Sequence, residues 1–416
     1  SHISQRIVDP VGLFFVLIFG LITTAAAVMV TPTDAENTFG STGSDSLRAL
    51  SGIGIMLAIA TYYLVNTVYR KEKEIINSYI YFAVGYTFFL LTTLLFSRYS
   101  IEELDLSIKG QSVTLLLSIL FSLPLLTFAL LEVKNVYAKL TFAIAEFYSI
   151  YLLINNSNNS SLFIIFISGL IATLPLTIVF FYKYEKYISS LWGSSKLLTD
   201  KLYAIGGYIL MLSLFVFIVG SMYTFAHDAD TAKAPVESFF NGVDESISIL
   251  NNDTRTLLFG FGTSTATSTE STIVSILYGQ GLAGLLGYAL VFCYSVYLLF
   301  KTLTNQNNDY TLKTAFLYFL GFTLLYIPIV GVFTYVTIYG VLLWWINFGL
   351  LTSLYAIENN KLIVDLYDFG VTKITIIGKT FTDRQAILIR LLIGLTLLIA
   401  SFILIYSLLN LRGDLI

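Results

Sequence analysis

The chain has 416 residues, of which 56% are hydrophobic and only 12% are charged, and its mean hydropathy is +0.80. Soluble domains carry roughly 25% charged residues, so this composition excludes an ordinary soluble protein and indicates a polytopic membrane protein. The net charge of −3 argues against nucleic-acid binding, and the single cysteine, Cys293, excludes an internal disulfide.

Apolar runs long enough for a transmembrane helix, about 20 residues each, recur along the whole chain. They predict an all-α polytopic membrane protein with about eleven transmembrane helices in a single transmembrane domain over residues 1–416. The predicted spans are roughly 10–30, 49–68, 78–97, 111–131, 136–154, 162–182, 202–226, 271–300, 314–333, 335–356 and 386–409.

The distribution of Lys and Arg predicts how these spans are oriented. With the N-terminus placed inside, 17 of the 23 cations fall on the inner side and 6 on the outer side. Inner loops carry the excess of positive charge in membrane proteins. The sequence therefore predicts a plasma (inner) membrane protein with a cytoplasmic N-terminus.

Two polar stretches interrupt the apolar pattern. Residues 227–270 form the longest polar segment, which the charge count places on the extracytoplasmic side and which we expect to contain short helices. Residues 357–385 are predicted to be a cytoplasmic loop, and their alternating pattern favours a β-hairpin. We expect the outer segment to form the reaction chamber and the helices to support it.

Arginine side chains are the main candidates for substrate binding. Arg48, Arg98 and Arg255 are three of the six outer cations, and Lys233 is another. Arginine binds phosphate oxygens in a bidentate manner and stays charged. Arg48 and Arg98 stand at span boundaries, where snorkelling is the simpler interpretation. Arg255 lies in mid-segment, where snorkelling explains it less well.

A turn and an acid follow Arg255. Gly260-Phe261-Gly262 can bring backbone N–H groups close to a ligand, so both glycines are candidate substrate-binding positions. Glu270 is predicted to stand at the start of the next helix, where a carboxylate is favoured. It is either a helix-end charge or the general base that accepts a proton from an acceptor hydroxyl.

His227 stands beside a D-x-D pattern made by Asp228 and Asp230. Two carboxylates and an imidazole could hold Mn²⁺ or Mg²⁺ against a diphosphate. The pattern is short and lies at a helix end, where polar residues gather, so we predict no metal site. His227 is retained as a candidate for substrate binding.

Between Arg255 and Leu286 the chain resembles the O-antigen ligase and O-antigen polymerase superfamily. In that family an outer loop ends in a G-x-G turn, followed by a histidine or an acid and then a helix of the form L-x-x-L-x-x-x-G-x-x-G. The first outer loop is also similar to the family's F-x-G…R-x-x-G segment. The matching positions are Phe39, Gly40, Arg48, Ser51, Gly52, Gly260, Phe261, Gly262, Glu270, Ser271, Val274, Leu277, Gly281 and Gly284.

The resemblance implies a GT-C-like membrane glycosyltransferase with one large outer loop. Its donor would be a polyprenyl-diphosphate-linked glycan, and it would need no nucleotide sugar, metal or other cofactor. The acceptor, a glycan, a lipid or a protein, would attack the anomeric carbon with inversion while arginines stabilise the departing lipid diphosphate. Arg255 and Glu270 are then the expected catalytic residues.

Two departures from the family pattern leave alternatives open. First, ligases place a histidine where Glu270 stands. Second, family members often carry an arginine about twenty residues before the G-x-G turn. In this chain Arg255 lies much closer to that turn, and Lys233 lies farther from it. Polymerase, ligase and protein O-oligosaccharyltransferase therefore remain open. A polysaccharide or lipid transporter and a structural membrane subunit are the alternatives from other classes, although transporters favour broken helices and midplane charges.

Overall fold

A long stretch of the chain folds into consecutive helices. The computed structural model describes residues 5–7, 10–29, 52–69, 71–99, 113–156, 159–191, 201–251, 253–261, 271–305, 312–334, 336, 338–359, 363–365, 374–376 and 379–381. The helices in this part are α1 (Pro10–Met29), α2 (Gly52–Val68), α3 (Glu72–Tyr99), α4 (Val113–Glu132), α5 (Val136–Asn156), α6 (Asn159–Leu191), α7 (Lys201–His227), α8 (Ala229–Leu250), α9 (Thr254–Phe259), α10 (Thr272–Asn305), α11 (Leu312–Phe333) and α12 (Ile338–Asn359).

Five helical segments among the described residues are long and apolar enough to cross a membrane. They lie in α6, α7, α10, α11 and α12, as Ser160–Lys183, Ile209–His227, Thr272–Asn305, Lys313–Phe333 and Gly340–Glu358. The chain is therefore an all-α membrane protein by the length and composition of its helices. The number of about eleven spans stays a prediction, and the last predicted span, 386–409, lies outside the described residues.

The chain divides into two compact units, and the first comprises residues 1–72, 240–295 and 348–416. In this unit α2 packs closely against the C-terminal half of α12. The rings of Tyr62 and Phe348 stack with centroids 4.9 Å apart. A Cβ on Gly349 would lie 2.8 Å from the side chain of Val65. The small residue thus allows two apolar helices to approach each other, as in other membrane helix pairs.

The second unit comprises residues 73–239 and 296–347. In this unit α6 and α7 approach each other closely at two glycines, and an aromatic ring of the opposite helix packs on each glycine. Phe217 lies over Gly169, and Phe166 lies over Gly220, each so close that a Cβ on either glycine would come within 2.6 Å of the opposing ring. Elsewhere in this unit the rings of Tyr79, Phe128 and Phe316 pack edge-to-face, with centroids 5.2–5.6 Å apart.

Short strands lie at the two ends of the chain. β1 (Gln5–Ile7) pairs in antiparallel fashion with β2 (Ile363–Asp365), so that Arg6 lies opposite Val364. β3 (Ile374–Ile376) and β4 (Lys379–Phe381) form an antiparallel hairpin. β2, β3 and β4 all fall in the 357–385 segment, but β2 takes a partner at the other end of the chain. Local alternation reveals a strand, whereas it does not reveal such a distant partner.

Candidate functional site

The polar segment 227–270 is largely helical where it is described, and α9 is its shortest helix. Asp253 caps α9: its backbone is extended (φ −143°, ψ 137°), and its Oδ1 accepts a hydrogen bond of 3.3 Å from the backbone N–H of Arg255. Thr256 contacts the helix before it, because its hydroxyl lies 3.0 Å from the carbonyl oxygen of Leu250. A capping carboxylate satisfies a backbone donor that the helix start leaves free.

The end of α9 meets α10 backbone to backbone. Gly260 closes α9 with φ +72°, and its N–H donates to the carbonyl oxygen of Thr256 at 2.7 Å. A Cβ on Gly260 would lie 2.5 Å from the carbonyl oxygen of Gly279 and 2.6 Å from the backbone nitrogen of Gln280. Only glycine combines this backbone conformation with so close an approach. We call this contact the glycine crossing, formed by Gly260, Gly279 and Gly281.

The glycine crossing coincides with a break in α10. Gly281 has φ +64° and ψ −164°, which are not helical values, and a Cβ there would lie 2.5–2.7 Å from backbone atoms of Leu258 and Gly260. The regular hydrogen-bond pattern cannot continue through such a residue. Instead the carbonyl oxygen of Tyr278 accepts a hydrogen bond of 3.1 Å from the backbone N–H of Phe261, whose ring packs on the Tyr278 ring. The expected glycine-spaced helix is thus two helical pieces joined at Gly281.

The start of α10 is capped by Ser271. Its hydroxyl oxygen accepts a hydrogen bond of 3.4 Å from the backbone N–H of Val274, and its carbonyl oxygen accepts from the backbone N–H of Ser275 at 3.0 Å. Ser271 is buried, at 3% exposure. This is the position and bonding of an N-cap serine. Glu270 precedes the cap and lies outside the described residues, so its role as a base stays a prediction.

A buried amide stands beside the break, and the sequence analysis did not single it out. Gln280 is 1% exposed, and the hydroxyl of Thr23 lies 3.2 Å from its Oε1. Its Nε2 has no hydrogen-bond partner among the described residues. The Thr23 hydroxyl also contacts the carbonyl oxygen of Phe19 at 2.9 Å, and it has a single hydrogen. The amide thus has one contact, at Oε1, and none at Nε2 within the described part of the chain. The available signal was a glutamine inside an apolar, glycine-rich run.

Arg255 lies on α9, five residues before the glycine crossing. Its side chain is exposed, and within the described part of the chain its guanidinium group makes no ion pair. Because α9 is capped at one end and tied to α10 at the other, the backbone that carries Arg255 is held in place. An exposed guanidinium on a fixed backbone is available to an anionic ligand.

The two other described candidates lie in the second unit, near the end of α7 and the start of α8. The imidazole of His227 stacks on the Tyr223 ring, with centroids 6.0 Å apart and nearly parallel planes. The ammonium group of Lys233 lies 5.7 Å from the centroid of the Phe225 ring, a cation–π distance. His227 and Lys233 are exposed, and both make ring contacts that account for their local positions.

The remaining candidates lie wholly or partly outside the described residues. Arg48 and Gly262 lie outside the described residues, as does Glu270. Arg98 belongs to the last turn of α3, but its side chain is not among those described. Among the described residues there is no group of three or more His, Cys, Asp and Glu side chains that could hold a metal ion.

The chain was compared with protein-family models, curated proteins and solved structures, and no match was found. The resemblance noted above rests on the quoted motifs alone.

Proposed function

We propose that this protein is a membrane glycosyltransferase that transfers or polymerises a polyprenyl-diphosphate-linked glycan onto an acceptor hydroxyl at the outer face of the plasma membrane. The observation that carries the proposal is the glycine crossing. It attaches α9, with its exposed Arg255, to the membrane helix α10 through backbone contacts at Gly260 and Gly281. A phosphate-binding side chain is thereby held next to a membrane-spanning segment, where a lipid-linked diphosphate would place its headgroup.

In the proposed reaction Arg255 acts on the donor and Glu270 acts on the acceptor. The acceptor oxygen attacks the anomeric carbon, and the bond from that carbon to the diphosphate oxygen breaks with its electrons moving to the diphosphate. Arg255 stabilises that charge as it develops. Glu270 orients the acceptor hydroxyl and receives its proton. The acceptor is a glycan or a lipid, or a protein if the enzyme is an O-oligosaccharyltransferase.

A transporter of lipid-linked glycans or polysaccharides is the second candidate function. The observation that favours it is the break at Gly281, because transporters often build their binding sites from interrupted helices. The buried amide of Gln280 next to the break is the polar group that such a site would use. The two candidates differ in their product, since only the enzyme forms a new glycosidic bond.

Purified protein in lipid nanodiscs, given a polyprenyl-diphosphate-linked glycan and an acceptor, tests the function directly. We expect a glycosylated acceptor and free polyprenyl diphosphate in equal amounts, at the same rate with and without EDTA. A rate that falls on chelation and returns with Mn²⁺ would point to the D-x-D residues Asp228 and Asp230. Movement of intact donor across the bilayer, without transfer, would favour the transporter.

A labelling experiment tests the side of the membrane on which α9 lies. Cys293 is exposed on α10, so it is first replaced by serine. We expect a cysteine introduced at the exposed position Thr254 to react with a membrane-impermeant maleimide from the extracytoplasmic side of intact cells. A cysteine at Lys134, also exposed but predicted to be cytoplasmic, should react only after the cells are opened. The reverse pattern would contradict the orientation deduced from the charge count.

A further inference from the structure

Glu146, an acidic residue that the proposed reaction does not use, lies in the middle of a helix. Glu146 is the central residue of α5, with ten residues on either side of it. At a rise of about 1.5 Å per residue it lies about 15 Å from each end of the helix. That distance is half of the roughly 30 Å hydrocarbon thickness of a bilayer.

The surface of α5 indicates that this helix faces lipid. α5 is not one of the five long apolar segments. One face of it nevertheless consists of large exposed side chains, namely Leu140, Ile144, Phe147 and Tyr151, each 56–74% exposed. The opposite stripe is buried and packs against α4: Phe142, Ala145, Ser149 and Leu152. Glu146 is half-buried between the two stripes. An apolar outer stripe on an apolar helix is typical of a membrane span.

The hydroxyl of Thr127, on α4, makes two contacts that favour the protonated form of Glu146. It lies 2.6 Å from Oε1 of Glu146 and 2.9 Å from the carbonyl oxygen of Leu123. A hydroxyl has one hydrogen and two acceptor lone pairs. If Glu146 were ionised, both neighbours would be acceptors, and one hydrogen cannot form two strong bonds. If Glu146 is protonated, its O–H donates to Thr127 and Thr127 donates to Leu123, so both contacts are hydrogen bonds.

The charged groups nearby favour the neutral form. Within the described part of the chain Glu146 makes no ion pair. On α5 the nearest cation along the chain, Lys139, stands two helical turns earlier, and on α4 the only charge is Glu132 at its end. α11, which packs against α4, carries only Lys313, in its first turn. The other titratable side chains on these helices are Tyr137, Tyr148, Tyr151, Tyr318 and Tyr326. A carboxylate without a cation is disfavoured away from water.

We propose that Glu146 and Thr127 form an intramembrane proton-binding site between α4 and α5. Glu146 carries the proton, and Thr127 accepts the hydrogen bond that it donates. Loss of the proton leaves two acceptors around one hydroxyl hydrogen. It also leaves a charge in the middle of the membrane, so it weakens the contact between the two helices. The site is independent of the proposed glycosyl transfer, which uses residues of the other unit.

Infrared spectroscopy of the full chain tests the proposal. Purified protein in a detergent without ester groups is compared at neutral pH with the variant Glu146→Gln, whose amide keeps a donor for Thr127 while removing the acid. We expect the carbonyl stretch of a protonated carboxyl group in the parent protein and its loss in the variant. Glu132→Gln, at the end of α4, should retain the band, and Thr127→Val should shift it because the acid loses its acceptor. If the spectra of the parent and of Glu146→Gln agree in this region, the proposal is wrong.

A second measurement uses dicyclohexylcarbodiimide, a lipid-soluble reagent for protonated carboxyl groups. The carboxyl O–H adds across a C=N bond, and acyl migration leaves a stable N-acylurea whose mass exceeds that of the residue by one reagent molecule. Mass spectrometry should find this adduct at Glu146 in the parent and in Glu132→Gln, with less of it as the pH rises. The proposal would be overturned if the protein lacks the infrared band and the reagent labels Glu132 but not Glu146. An unlabelled Glu146 in a protein that shows the band supports a proton site closed to the reagent.

Discussion

Replacement of Arg255 by alanine is expected to lower glycan transfer about 10²–10³-fold, the typical effect of losing one preorganised charge contact at a reacting group. Arg255 is exposed on the capped helix α9, and no ion pair within the described part of the chain competes for its guanidinium group. Its removal should therefore cost little stability. The measurements are donor binding and single-turnover transfer in nanodiscs, with the melting temperature as a check on folding.

Three further variants separate the roles of the charges. Arg255→Lys should rescue transfer only in part, because lysine lacks the bidentate fork. Glu270→Gln should lower turnover while leaving donor binding nearly unchanged, since Glu270 is proposed to act on the acceptor. Lys134→Ala removes an exposed cation between α4 and α5 and should leave both quantities unchanged. If Arg255→Ala binds and turns over donor like the parent protein, the diphosphate site lies elsewhere, and Arg48 with Arg98 become the next candidates.

Replacement of Gly281 by alanine is expected to destabilise the protein clearly. An alanine at φ +64° and ψ −164° costs about 1–3 kcal/mol, because essentially only glycine adopts this backbone region. That Cβ would also lie 2.5–2.7 Å from backbone atoms of Leu258 and Gly260, and overpacking of this kind costs about 1–3 kcal/mol. Thermal unfolding in detergent should show a clear fall in melting temperature.

The matched control for that variant is Gly85→Ala. Gly85 lies on an exposed face of α3, and a Cβ there would meet nothing within 4 Å. Alanine is the better helix former by about 1 kcal/mol, so this variant should be as stable as the parent protein or slightly more so. Gly260→Ala should resemble Gly281→Ala, and the double variant should lose less than the sum because both residues form one contact. Equal melting of Gly281→Ala and Gly85→Ala would show that the break in α10 is not as described.

The helices that run through the apolar segments follow from composition and length alone. A run of about 20 apolar residues must satisfy its own backbone in lipid, and a helix does so without any partner. The predicted spans 162–182, 202–226 and 314–333 accordingly lie within α6, α7 and α11. The single-residue features were harder to foresee. Ser271 caps α10, because its hydroxyl oxygen accepts a hydrogen bond from the backbone N–H of Val274.

Some residues of the candidate site could be identified from the sequence, and others required the tertiary structure. Arg255 and the Gly260-Phe261 turn could be selected from the sequence, because a charge and a glycine-rich turn inside a polar segment are unusual in so apolar a chain. The buried amide of Gln280 could not, since its burial results from α1 packing onto α10 through Thr23. Glu146 is similar: the sequence places an acid in a predicted span, and only the tertiary structure places it against Thr127.

Hydropathy by itself indicated an all-α membrane protein. Apolar composition places a segment in lipid, and a helix there satisfies its backbone hydrogen bonds without a partner segment. The break at Gly281, its contact with Gly260 and the pairing of β1 with β2 required the tertiary structure. In each case a residue takes its conformation or its partner from a segment distant in the chain. A glycine permits both helical and left-handed backbones, and here the backbone packed against it selects between them.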